Sequence, residues 1–241
     1  MLWFILLFFM ILMIYSYQKE GFENKDILIV VSRYNEQLEW MKEEPFSNYK
    51  SIVYNKGPND HFYHPGKVIP LKNVGREGHT YLYHIVKHYD DLNEITIFLP
   101  GSLNMDNKMQ KGKRMMYEIE HKHKAFFITD SDNISNLYDF TISEYSSTSS
   151  ENHSINPESM MELSKIRPFG KWCESYFDKH ALTHYSHGGI LSVSKKDVLQ
   201  KPKSYYKELL EELSHSSNPE VGHYVERSWQ AIFNMKDTLI L

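Results

Sequence analysis

One cysteine, Cys173, stands in 241 residues, which excludes an intrachain disulfide and any zinc site built from several thiolates. No long run of Lys or Arg interrupts the chain, and the formal net charge is -4. The electrostatic footprint of a nucleic-acid binder is therefore missing, and no nucleic-acid partner is expected. No internal repeat is visible. The 13 His residues fall in no tight ligand motif. Beyond Tyr17 there is no second apolar run long enough to span a bilayer.

A hydrophobic content of 41% over this length can bury one sizeable core, and the expected organisation is a single α/β domain over 27–241. Aromatic residues reach 14%, with 17 Tyr and 4 Trp. Such rings line sugar-binding clefts as well as cores, and core packing accounts for most of them. Met1 to Tyr17 carries no charge. It lacks a preceding basic residue and a following small-residue cleavage site, so a retained membrane anchor over 1–17 is preferred to a cleaved signal, with 18–26 as linker. Charges of both signs in the linker leave the orientation open. Asn133 and Asn152 stand in glycosylation sequons, which count only if the domain faces a secretory lumen.

Leu71 to Ser102 organises the rest. Asn73 to Thr80 places Gly75 and Gly78 where the backbone can turn sharply, and Tyr81, Leu82, Ile85, Val86 and Tyr89 recur at helical spacing. Ile95 to Leu99 is a continuous apolar run suited to a strand covered on both faces, stopped by Pro100-Gly101-Ser102. Ile27 to Val31 and Ser51 to Asn55 read as further strands, and strand–helix–strand order implies a mainly parallel central sheet flanked by helices. Leu38 to Met41 begins a short helix. Met105 to Lys124 has helical spacing with its lysines on a solvated face, and Ala125 to Thr129 is another candidate strand. Ser143 to Pro157 reads as a long irregular loop, Ile190 to Val193 as a strand, Tyr205 to Leu213 as an amphipathic helix, and the chain ends in a helix carrying Val225, Trp229 and Phe233.

Polar groups gather after the strands at Ser32 to Glu36, Asn73 to His79 and Pro100 to Asp106. In a parallel sheet these share one rim, where an anionic phosphate would meet the helix start at Gly75 and Gly78 with Arg76 as charged partner. Tight-turn glycines without a ligand are the alternative. Asp130-Ser131-Asp132 has the form of a D-x-D metal site for Mg or Mn, or equally of a turn that satisfies its own backbone. Glu220, His223, Glu226 and His187 are candidates for acid–base work. Glu226 could instead pair with Arg227, and His187 could be structural.

Together, Val30 to Glu36, Asn73 to Ile85, Thr96 to Gly101, Arg167 to Trp172, His187 to Ile190 and Asn218 to Trp229 resemble the uncharacterised DUF3431 family over nearly all of the chain after the anchor. That family in turn resembles, more distantly, glycosyltransferases of the GT-A type, a Rossmann-related fold. The rim residues Ser32, Arg33, Asn35, Glu36, Asn73, Gly75, Arg76, Gly78, Gly101 and Ser102 are the expected donor contacts, and the resemblance implies this for Tyr34-Asn35-Glu36 and for Asn73 to Gly75. It puts the acceptor at Gly188, Gly189 and His223, and makes Glu226, or Glu220 in the preceding loop, the base. Pro100-Gly101-Ser102 stands where such enzymes carry D-x-D, so metal dependence would rest on Asp106 or on Asp130 and Asp132, and metal independence is equally consistent. The expected activity is transfer of a sugar from a nucleotide sugar to a glycan or protein hydroxyl, with a membrane contact through the N-terminal segment. A non-catalytic binding module on the same fold is the alternative, and a hydrolase using His and carboxylates a third.

Overall fold

A computed structural model describes residues 26–130, 133–144, 161–178 and 181–241. The central sheet has five strands in the order β3-β2-β1-β4-β6. They are β1 (Ile27–Arg33), β2 (Lys50–Asn55), β3 (Lys67–Pro70), β4 (Ile95–Pro100) and β6 (Leu191–Ser194). β1 runs parallel to β2 and β4, β2 parallel to β3, and β6 antiparallel to β4. This is a mixed α/β fold with a mainly parallel sheet flanked by helices. The expected all-apolar character of the central strands follows from their position: β1 and β4 are buried along their whole length.

Alternation along β1 splits the core in two. Leu28 and Val30 join Tyr54 and Phe98 under α1 (Arg76–His88), α3 (Phe169–Tyr176), α5 (Lys203–Glu212) and α6 (Glu220–Phe233). Ile27, Ile29 and Val31 face Trp40, Phe46, Met115, Met116 and Ile119, the last three from α2 (Asp106–Lys122). α4 (Lys195–Val198) is one turn whose Asp197 accepts the amides of Lys236, Asp237 and Thr238, tying down the chain's end.

Several expectations shift. The strand expected from Ala125 to Thr129 is β5, Phe126–Phe127 alone, and it pairs outside the central sheet with β7 (Leu239–Ile240). Leu38 to Met41 makes one 3-10 turn, Glu39–Lys42. Glu220 opens α6 instead of lying in the preceding loop. Among the described residues no helix is long and apolar enough to cross a membrane. The expected anchor, most of the linker, Asn152, Asp132 and most of the Ser143 to Pro157 loop lie outside the described residues.

Candidate functional site at the carboxyl edge of the sheet

The chain adds β2 and β3 on one side of β1, then crosses back to place β4 on the other. Ser32 pairs in register with Pro100, so both strands end together and the crevice between them is the topological switch point, where open α/β sheets bind ligands.

The first wall is braced from within. Glu36 is buried and its Oε2 accepts the amides of Tyr34 and Asn35 at 2.8 and 3.0 Å. A Cβ on Gly101 would lie 2.6 Å from that oxygen, so the carboxylate's approach requires glycine there. Arg33 has no exposed surface and donates to the carbonyls of Glu36, Tyr34 and Asn59 and to the side chains of Asn55 and Asn59. Asn35 accepts from Asn59 Nδ2. Arg33, Asn35 and Glu36 thus shape the loops beyond β1 and β2 from inside. Ser32 Oγ meets Thr80 Oγ1 of α1 at 2.8 Å, and Ser102 Oγ accepts from Lys108 Nζ at 2.9 Å.

At the start of α1 the glycines serve close packing. Gly75 sits at φ +60, a Cβ there would lie 2.4 Å from the Leu213 carbonyl oxygen, and its amide donates to the Ser216 carbonyl. Gly78 faces Leu213 and Val225. The Gly75 amide is therefore turned into the protein, away from the phosphate position expected of it. What reaches the crevice is charge. Half-buried Asn73 precedes the turn, and the Lys56 ammonium donates to the carbonyls of Val74 and Arg76. Burial pushes Lys56 down to about 7, opposed by nearby Glu77 and assisted by Arg76. Burial alone would raise the Glu77 carboxyl, but Arg76, Lys108 and Lys56 outweigh it and hold it below its ordinary value.

The second wall is the turn before β6. Gly188 and Gly189 take φ +86 and +68, a region that suits glycine, and they pass close to Lys108 and to Tyr81 and Glu77. Tyr81 Oη donates to the Gly189 carbonyl at 2.6 Å, and the Gly188 amide to Glu226 Oε1 at 2.8 Å. Asp130 Oδ2 accepts from the His187 amide and lies 3.1 Å from His187 Nδ1, while Lys111 Nζ reaches Asp130 Oδ1, Ser186 Oγ and the His187 carbonyl. Burial would raise the Asp130 carboxyl, but the hydrogen bonds from His187 and Lys111 hold it well below the usual range. His223 on α6 is buried, and burial with the charges of Arg76 and Arg227 pushes it down to about 3, so it is neutral at physiological pH.

Glu220 is fully buried and accepts from the amides of Ile142 and Ser164, from Arg167 Nε and from Tyr224 Oη. That network closes it off from any acceptor. Asp130 shares its oxygens with an ammonium, which repels a divalent cation, and Asp132 lies outside the described residues. Among the described residues no group of three His, Cys, Asp or Glu side chains is arranged to hold a metal.

Between α1, α6 and the glycine turn, residues including Arg76, Glu77, Tyr81, Gly189, Glu226 and Trp229 enclose a cavity of about 10 Å³, which no residue of the first wall lines. Larger grooves lie elsewhere. One of about 820 Å³ runs by Tyr138 and Lys171, and one of about 520 Å³ is walled by Glu162, Glu208, Glu211 and Glu212. Acidic walls repel an anion, and neither groove sits at the switch point. Sequence reading missed Lys56, Glu77, Thr80, Lys108 and Lys111. The two α2 lysines are one turn apart, and that spacing was the available sign that both share the face turned to the crevice.

No curated protein matches the chain. A family model described as "Protein of unknown function (DUF3431)" matches residues 28–240, nearly the whole described domain, and the chain belongs to that family.

Proposed function

We propose that the chain is a membrane-anchored, GT-A-like glycosyltransferase that moves a sugar from a nucleoside diphosphate to a hydroxyl of a glycan or protein. The observation that carries this reading is the convergence of Lys56, Arg76 and Lys108 on Glu77 at the start of α1, with Lys108 also bonded to Ser102 just beyond β4. A diphosphate there has cations to meet it without recruiting Asp130, and its donor contacts come from Arg76 and Lys108 with Ser32, Asn73, Gly101 and Ser102 around them. The facing turn at Gly188 and Gly189, with Glu226 and His223 behind it, forms the acceptor side. The uncharged Met1 to Tyr17 supplies the membrane attachment. No step is routed through a metal.

The narrowness of the cavity, about 10 Å³, with room for roughly one water, favours a second reading: a binding module on the same fold that holds a glycan or protein without turnover. The test incubates the full chain with a panel of nucleotide sugars and acceptors and measures release of the nucleoside diphosphate. Release with at least one donor, lost in Arg76→Ala and Lys108→Ala, is the expected result. Binding without release selects the module, and neither binding nor release removes both readings.

A further inference from the structure

His187 is fixed at every backbone and side-chain handle except one. Its amide and Nδ1 are both held by Asp130 Oδ2, its carbonyl accepts from Lys111 Nζ at 3.3 Å, and the next amide, of Gly188, is held by Glu226. Asp130 is ionised and can only accept, so the ring proton sits on Nδ1 and the Nε2 lone pair is left over. Among the described residues nothing bonds Nε2, and the side chain remains 41% exposed. A surface His with no task has no reason to be held this rigidly. An imidazole oriented through Nδ1 by a carboxylate, with Nε2 open to solvent, is the arrangement that general-base catalysis needs.

We propose that His187 and Asp130 form a dyad in which His187 Nε2, not the Glu226 carboxylate, deprotonates the acceptor. This rests on the transferase reading above. As the acceptor oxygen bonds to the anomeric carbon, its proton passes to Nε2. The bond from that carbon to the diphosphate oxygen breaks with its electron pair leaving on the diphosphate, and the imidazolium then returns its proton to solvent. Asp130 is the positioning residue, and Glu226 and Lys111 hold the turn. Glu226 has one oxygen committed to the Gly188 amide and the other 3.6 Å from Arg227 Nη1, so both its oxygens are already engaged.

Among the described residues, the charged and titratable groups around His187 are Asp130 after β5, Lys111 from α2, Tyr185 on its own loop and His223 from α6, with Lys108 of α2 and Glu226 of α6 at the adjoining Gly188. Of these, only Asp130 touches the ring as a hydrogen-bond partner. The test measures transfer and donor binding for His187→Gln, Glu226→Gln and Asp130→Asn in the full chain. His187→Gln should lose about 100- to 10,000-fold in transfer with donor affinity unchanged, and added imidazole should restore part of the rate in His187→Ala. Asp130→Asn should lose about 100-fold in kcat with donor affinity and acceptor KM unchanged, a split that a merely structural role would not give. A His187→Gln enzyme that transfers at the original rate, or a larger loss in Glu226→Gln than in His187→Gln, overturns the dyad while leaving the transferase reading in place. An unaltered protein that turns over no donor overturns the transferase reading, and the dyad with it.

Discussion

Glu226 Oε1 accepts the Gly188 amide at 2.8 Å across 38 positions of sequence. This one contact joins α6 to the glycine turn before β6, so the residue that reads from sequence as a base is also what holds the second wall shut. Glutamine keeps an oxygen for that amide and alanine does not. Glu226→Gln should therefore retain transfer to within about tenfold, and Glu226→Ala should lose about a hundredfold, the usual effect of an ångström of misplacement. Steady-state kinetics of the pair check this.

Glu220 should prove structural. Truncation to alanine leaves Arg167 and the amides of Ile142 and Ser164 without their acceptor in a buried site. The expected loss of unfolding free energy is about 3–5 kcal/mol, read by urea denaturation. Unchanged stability would mean the carboxylate is not engaged as described.

Acid stability follows from the same residue and from Asp197. Burial would raise both carboxyls, but hydrogen bonds from Tyr224 and two amides at Glu220, and from the Asp237, Lys236 and Thr238 amides at Asp197, lower them. A folded value below the unfolded one gives stability that is present above the ordinary values of about 3.9 and 4.3 and is lost as pH falls through the folded values. Urea midpoints should hold steady from neutral pH to about pH 5 and drop below about pH 4. In the double variant Asp197→Asn, Glu220→Gln that drop should flatten.

If the crevice binds a diphosphate as proposed, Lys56 should make that binding proton-linked. With burial pushing it down to about 7, part of the population is neutral near pH 7, and a diphosphate in the crevice favours the ammonium. Binding should take up protons between about pH 7 and 9 and take up none in Lys56→Met. Calorimetry in buffers of different ionisation enthalpy measures the uptake directly.

Much of the fold was legible because the two central strands are long, apolar runs and the helices α1, α5 and α6 keep a regular apolar face. β3 was missed because Lys67–Pro70 is short, half-exposed and offers only Val68 and Ile69 as apolar signal. β5 and β7 are two-residue pairs made by distant segments, which no local pattern encodes. At the site, sequence order exposed the rim residues but not their orientation. Gly75 looks like a phosphate turn, yet its space is filled by Leu213, more than a hundred residues on. Arg33 looks like a ligand contact, yet its guanidinium is used up on Asn55 and Asn59. Lys108 and Lys111 of α2 read as solvated because their partners, Ser102, Asp130 and Ser186, arrive from other places in the chain, while Lys113 and Lys122 are exposed as expected.

The transferase reading requires that the crevice between β1 and β4 bind a nucleotide sugar through Arg76 and Lys108. The most direct measurement is calorimetric titration of the full chain, and of Arg76→Ala and Lys108→Ala, with a panel of nucleoside diphosphates and their sugar conjugates. Saturable one-to-one binding of at least one conjugate, weakened about tenfold or more in each variant while thermal stability stays unchanged, is the expected result. Absence of binding to every compound by the folded, unaltered chain, or binding that both variants retain in full, would contradict it.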